Sequence, residues 1–456
     1  MALPDLIEIV PLTAPVRAEI TVPGSKSITN RALILAALSD GKTVLKGALW
    51  SEDTQIMVEC LQELGFMVNV EADPAETCNR TITVYGNGGA VPRGGTEAQP
   101  LDLFVGNAGT AARFLAPFLC LGGGVYRLHG VPRMHERPQA ALFSALRELG
   151  YHVESENGND KLPVKIFGEG EKKGKCHVSI EESSQFASAL LLSAKQGNWE
   201  IEIVGENAEE SPYVRLTEGI IFQFDFLAKT KDFPYTVGPD DSSSSYFKAA
   251  GWLLAPPASD ALKTIRVKEP NGARLPQLDG MFSNYFRWAG FIGWLDAGQT
   301  KSKVSKISRL NELADSIMTA IAMVSFADRE IRFTELGRLR VQECDRVTAL
   351  RTELTKCGAN VVEEGDTLTV YPSKLEDLHG AEIETYNDHR MAMCFAILGL
   401  KVPGIKIKNP ACVKKTFPNF FQKLAAPPPH GLGVEIWEIK DGRRTRKLSG
   451  DDLFAD

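Results

Sequence analysis

No stretch of this sequence is long and apolar enough to cross a bilayer, so no transmembrane segment is expected and membrane partners are not anticipated. The first residues, MALPDLIEIV, lack a basic run followed by an apolar one and do not read as a signal peptide; a cytoplasmic protein is the expectation. The eight cysteines form no CxxC pair and no Cys/His cluster at zinc spacing, which points to buried reduced thiols with neither a disulfide framework nor a metal. Basic residues are not in excess. A net charge of −7 gives no broad positive face of the kind nucleic-acid binding uses, so any anion site has to be local. The GxxxxGK(S/T) loop is also absent, although Gly24-Ser25-Lys26-Ser27 resembles part of it, and this argues against a nucleotide-binding P-loop.

What is present is an ordinary globular composition, 43% hydrophobic and 24% charged, spread over 456 residues. That length exceeds one compact core and predicts two domains. A helix, a glycine and a short strand recur along the chain, around Gly65, Gly150, Gly290 and Gly358. Glycine suits the left-handed position that ends such helices. A fifth copy, LTEGIIFQFDFLA, places Asp225 at the stop, a residue type that tolerates this conformation. A single copy is no more than any α/β protein shows, but five copies predict a repeated α/β unit. Thr230 to Ser243, rich in Pro, Gly, Asp and Ser, reads as a crossing between halves. The segment 426–456 reads as a Pro/Gly linker and a polar, poorly ordered tail.

Eight segments carry candidate chemistry, and most have the form of a helix entry dressed with donors and cations. AEITVPGSKSITNRAL places Lys26, Ser27 and Arg31 in the first turns of a helix whose free N–H groups suit a phosphate or carboxylate. GNAGTAARF brings Asn107, Gly109, Thr110 and Arg113 to another helix start. VPRMHERPQAAL sets Arg133 and Arg137 before a helix expected to begin near Pro138. EESSQFASAL offers Ser183, Ser184 and Gln185. ELADSIMTAIA places Asp315 in an apolar helical run, where a carboxylate is costly unless exposed or partnered. RLRVQECDRVTAL supplies Arg338, Arg340, Glu343, Asp345 and Arg346; TYNDHRMAM supplies Asp388, His389 and Arg390; PACVKKTF supplies Lys414 and Lys415. Taken singly, each is equally well a capped helix or a solvated charged face. Together they suggest two domains that focus positive potential on one cleft.

The segments PGSKSITNRAL, GNAGTAARF, ERP, SSQF, TYNDHRMAM and KTFPNFF resemble, in order and spacing, the signatures of the EPSP synthase family, from about Ile7 to Leu424. Several local variants are similar to the domain of fungal multifunctional shikimate-pathway polypeptides. The resemblance implies an α/β fold of two domains, each with three βαβαββ units around buried parallel helices. Residues 1–22 and 240–425 would form one discontinuous domain, and 23–239 the other. It implies transfer of the enolpyruvyl group of phosphoenolpyruvate to the 5-hydroxyl of shikimate 3-phosphate, with no cofactor, no metal and only small-molecule partners. By resemblance Lys26, Asn107, Gly109, Arg137, Gln185, Arg346, Arg390 and Lys415 bind the donor. Lys26, Asp315 and Glu343 are the catalytic set. Ser27, Arg31, Ser183, Ser184, Tyr213, Asp315, Arg338 and Gln342 face the acceptor. Gly109 is the family's position of sensitivity to glyphosate.

Three positions depart from the family's pattern. Glu210 stands where the family has Ser, Gln342 where it has Lys, and Arg338 where it has Asn; the runs GPDDSSSSYF and LPQLDG are also altered. A neutral Gln removes a charge-assisted contact to the acceptor phosphate, and Glu adds an anion. Arg338 could restore the lost charge. Two acceptor readings therefore stay open, shikimate 3-phosphate or an unphosphorylated cyclic relative in a secondary-metabolite pathway, alongside a non-catalytic metabolite-binding descendant.

Overall fold

The computed structural model describes residues 3–205, 212–228, 232–254, 264–268, 277–282, 306–327 and 329–455. Glu210 and the repeat around Gly290 lie outside them. The chain divides into two compact units, one of Met1–Val22, Pro239–Asn271 and Gln277–Asp456, the other of Pro23–Gly238 with Gly272–Pro276. No described helix is long and apolar enough to cross a membrane.

One sheet pattern is used repeatedly, with a parallel pair followed by two antiparallel neighbours. In the 23–238 unit it is built by Pro234–Thr236, Asp40–Leu49, Asn79–Asn87 and Met67–Ala72. The strands Leu101–Phe104, Gly123–His129, Val164–Glu169 and Val153–Ser155 repeat it. In the other unit Lys306–Ser308, Ile331–Thr334, Thr367–Val370 and Val361–Glu364 have the same order and sense. The predicted helix stops fall where expected: Gly65, Gly150 and Gly358 have φ of +89°, +85° and +87° between a helix and the next strand.

Helices that are apolar on all sides have no solvent face to offer and so become the core. Every residue of Gly109–Cys120, Ile317–Met323 and His389–Leu398 is buried. Each unit has its own hydrophobic core.

Two expectations are corrected. The helix Pro212–Leu227 runs through Asp225 without stopping, because Asp225 lies on its outer face and pairs with Lys195 at 2.6 Å. The segment 426–456 is not a loose tail. Its strands Ile436–Lys440 and Arg443–Leu448 extend the sheet that holds the N-terminal strand Leu6–Ile9, and Ile436 packs opposite Ile9 with both fully buried. Leu432, Val434, Leu448 and Leu453 are buried with them, so the segment's alternating apolar residues outweigh its polar composition.

Candidate active site

In the 23–238 unit the site begins with a tight turn. A Cβ on Gly24 would lie 2.0 Å from the Gly47 carbonyl oxygen, so only glycine lets this turn pack on the neighbouring strand. The Gly24 amide donates to Asn79 Oδ1 at 2.8 Å. The helix Lys26–Leu38 follows, and Lys26 pairs with the buried Asp53 at 2.9 Å. Asn30 donates to Thr110 Oγ1 at 2.8 Å, tying this helix to the start of Gly109–Cys120.

Arg31 is 1% exposed, yet among the described residues its guanidinium meets neutral acceptors: Thr217 Oγ1 at 2.7 Å, Ser27 carbonyl at 2.9 Å and Ser188 Oγ at 3.1 Å. Burial pushes its pKa down to about 10. A buried cation held by neutral groups is unfavourable until an anion arrives. Arg137 is similar. It is buried, donates to the Asn107 carbonyl at 3.2 Å, and its Nε has no acceptor among the described residues. A Cβ on Gly109 would stand 2.6 Å from Arg137 Nη2, so glycine there makes room for the guanidinium. Arg113 donates to Gln185 Oε1 at 2.7 Å, which leaves the Gln185 amide NH2 as that side chain's donor. Ser184 is buried ahead of the helix Gln185–Gly197, and Ser183 Oγ accepts from the Gln185 amide at 3.2 Å. The Tyr213 carbonyl accepts from Thr217 Oγ1 at 2.8 Å, which places Tyr213 beside the Arg31 network.

The other unit is built from opposed charges. Asp315 lies on the turn Ala314–Ser316 at the entry to the helix Ile317–Met323. Arg309 donates to its Oδ1 at 2.8 Å, and its Oδ2 faces Arg390 at 3.4 Å and Arg346 at 4.0 Å. Burial opposes ionisation of Asp315, but Arg390, Arg309 and Arg346 hold its carboxyl well below the usual carboxylate range. Glu343 sits between Arg346 at 2.8 Å and Lys415 at 3.3 Å. Asp388 caps the helix His389–Leu398 through the Arg390 amide and holds Arg346 Nε at 2.6 Å. Asp279 is buried and accepts from the Ser316 amide at 2.6 Å; burial and the charge of Asp315 push its carboxyl up to about 7. Two neighbouring carboxyls are thereby driven apart, one ionised and one protonated near neutrality. Gln342 is not turned outward. Its Oε1 accepts from Arg346 Nη1, while Arg338 lies in the short helix Gly337–Arg340.

In one unit Asp315, Glu343, Arg346, Arg390 and Lys415 pair with one another, whereas in the other Lys26, Arg31 and Gln185 each meet different partners. Two of the cations expected at the donor, Arg137 and Lys415, do not sit at helix entries. Arg137 follows the short helix Pro132–Glu136, and the next helix begins at Ala140, two residues beyond Pro138. Lys415 ends the turn Pro410–Lys415. Arg309, Asp279 and Asp53 were not expected. Arg309 opens the single helical turn Arg309–Leu313 and Asp53 is one acid in an ordinary first helical turn, so local pattern gave no signal for either. Asp279 lies in the altered run LPQLDG, which marked the segment but not the residue.

A sequence profile of the EPSP synthase (3-phosphoshikimate 1-carboxyvinyltransferase) family matches residues 11–424. The 3-phosphoshikimate 1-carboxyvinyltransferase of Opitutus terrae is 37% identical, over 93% of this chain and 98% of that protein; the enzyme of the same name from Nostoc punctiforme is 35% identical, over 92% and 98%. This chain belongs to the EPSP synthase family. Among solved structures, an EPSP synthase from Acinetobacter baumannii has the same fold with a TM-score of 0.70 at 20% identity, covering 95% of this chain and all of that one. The enolpyruvyl transferase NikO from Streptomyces tendae gives a TM-score of 0.60 at 13% identity, covering 94% and 98%.

Proposed function

We propose that this protein transfers the enolpyruvyl group of phosphoenolpyruvate to a hydroxyl of shikimate 3-phosphate. The observation that carries this is the set of cations around Asp315 and Glu343. Arg346, Arg390 and Lys415 are each held by a carboxylate that an incoming trianion would displace. Lys26, Arg137 and Gln185, with Asn107 and Gly109, supply the remaining donor contacts, and bidentate arginines suit both its phosphate and its carboxylate. Arg31 and Ser27 take the acceptor carboxylate, while Ser183, Ser184 and Tyr213 take its other oxygens.

In the forward step Asp315 removes the proton from the acceptor hydroxyl as that oxygen bonds to C2 of the donor, and Glu343, with Lys26, delivers a proton to the donor's methylene carbon. Loss of phosphate from the tetrahedral adduct returns the methyl proton to Glu343 and regenerates the double bond. Cations around the departing phosphate stabilise the developing charge.

Gln342 favours a second reading, an unphosphorylated cyclic acceptor, since a neutral amide engaged with Arg346 offers no charge to an acceptor phosphate. Turnover with phosphoenolpyruvate, comparing shikimate 3-phosphate with shikimate and following phosphate release and ether formation, decides between them. Preference for the phosphorylated acceptor supports the first reading. If Gln342→Lys fails to improve use of shikimate 3-phosphate, the second loses its basis.

A further inference from the structure

Arg309 falls in none of the motifs that mark the family, yet it makes the shortest ion-pair contact to Asp315 among the described residues. The two carboxylate oxygens see different cations. Oδ1 is held by Arg309 Nη2 at 2.8 Å, whereas Oδ2 faces Arg390 at 3.4 Å and Arg346 at 4.0 Å. The Oδ2 partners are cations assigned above to the donor, and the Oδ1 partner is not.

The surrounding turn is built to hold this arrangement. Ala314, between Arg309 and Asp315, has φ +45°, a conformation that an L-residue rarely adopts and that persists only where its surroundings impose it. It is fixed on one side by the Arg309–Asp315 pair and on the other by the Ser316 amide donating to Asp279 Oδ1 at 2.6 Å. Arg309 is itself 6% exposed, so its side chain is set by packing rather than by solvent.

We propose that Arg309 is a positioning residue that anchors Asp315 through one oxygen while an anionic donor draws Arg390 and Arg346 off the other, so that donor binding frees Oδ2 to act as the base. The inference rests on the donor assignment above. It gives a physical reason for an ordered reaction: before the donor binds, Asp315 is a poor base because three guanidiniums share its charge. Afterwards one remains, enough to keep the carboxylate oriented. Among the described residues the charged groups facing Asp315 are Arg309 from its own turn, Arg346 and Arg390 from their helices, and Asp279 from the segment Leu278–Met281; Asp240, Tyr246, Glu343 and Asp388 act on it through Arg390 and Arg346.

The test compares Arg309→Met and Arg309→Lys with the unaltered full chain, using pH-dependent steady-state kinetics with phosphoenolpyruvate and shikimate 3-phosphate, and calorimetry with phosphoenolpyruvate. Arg309→Met is expected to lower kcat by roughly 10- to 100-fold, the scale of misplacing a reacting group. It should leave donor Kd within about threefold and move the acidic limb of kcat upward by about one pH unit, because losing a cation raises the pKa of the base and activity then fails at higher pH. Arg309→Lys should recover part of both. An unchanged kcat and limb in Arg309→Met, or a loss confined to donor affinity, overturns the proposal while leaving the donor assignment standing. Absence of donor binding by the unaltered protein removes both. Should Arg309→Met fail to fold, as judged by circular dichroism, Arg309→Gln takes its place: the same fall in kcat and shift of the acidic limb support the proposal, and their absence overturns it.

Discussion

The two units treat their cations in opposite ways. In the 23–238 unit Arg31 and Arg137 are buried among neutral acceptors, and of the three site cations there Lys26 is the one paired with a carboxylate, Asp53, among the described residues. In the other unit Arg309, Arg346, Arg390 and Lys415 are each paired with Asp315, Glu343 or Asp388. Buried cations among neutral groups present a fixed electrostatic demand that a ligand anion satisfies. Pre-paired cations hold carboxylates in reserve, and binding an anion redistributes their charge. The first arrangement suits recognition, and the second suits proton chemistry that begins only once the ligand is in place.

The comparison is tested most severely at Asp315. Asp315→Asn keeps the side chain's shape but removes the base; turnover should fall by about 10²- to 10⁴-fold, while phosphoenolpyruvate binding measured by calorimetry persists. Loss of binding with residual kcat intact would reverse the division of labour. In the recognition unit, Arg31→Met deletes charge-assisted contacts worth about 1.5–3 kcal/mol. Acceptor KM should therefore rise roughly 10- to 100-fold with a smaller change in kcat, and a kcat effect alone would place Arg31 in the chemistry instead. Gly109→Ala forces a methyl group to within 2.6 Å of Arg137 Nη2, which the guanidinium can escape only by moving. Donor KM should rise about tenfold, on the order of one displaced hydrogen bond, with glyphosate affinity falling in parallel.

The smallest effect concerns stability. Asp279 holds its proton up to about pH 7 in the folded protein, whereas an unfolded aspartate loses it near 3.9. The folded state therefore binds more protons between those values, so this group's contribution to stability declines as pH rises from about 4 to 7. Denaturant unfolding at pH 5 and pH 8 should show a smaller difference in Asp279→Asn than in the unaltered chain. An unchanged difference would mean that Asp279 ionises normally.

Much of this site was legible in the linear sequence because anion recognition at a helix start is local. The separate roles of Lys26, Ser27 and Arg31, and of Asn107 and Gly109, come from the family resemblance, but each group falls within one or two turns, so spacing alone marks it as a candidate for an anion. The same holds for the glycine stops at 65, 150 and 358, which depend on one residue's conformation. Asp225 misled because a left-handed stop and an outward-facing helical position both accept aspartate, and only the contact with Lys195 separates them. The segment 426–456 misled because its polar composition masks an apolar alternation: Val434 and Ile436 share a face of the chain, and Ile436 is fully buried.

What the sequence determined by itself is the family and the repeated α/β unit, together with a roster of candidate donors and cations, since each depends on short-range patterns that survive without knowledge of partners. What the tertiary structure decided is which charges meet. Whether Asp315 faces one arginine or three, and whether Arg31 meets neutral or charged acceptors, are matters of distance between segments remote in the chain. Electrostatic energy depends on separation and burial, and neither is written in the order of residues.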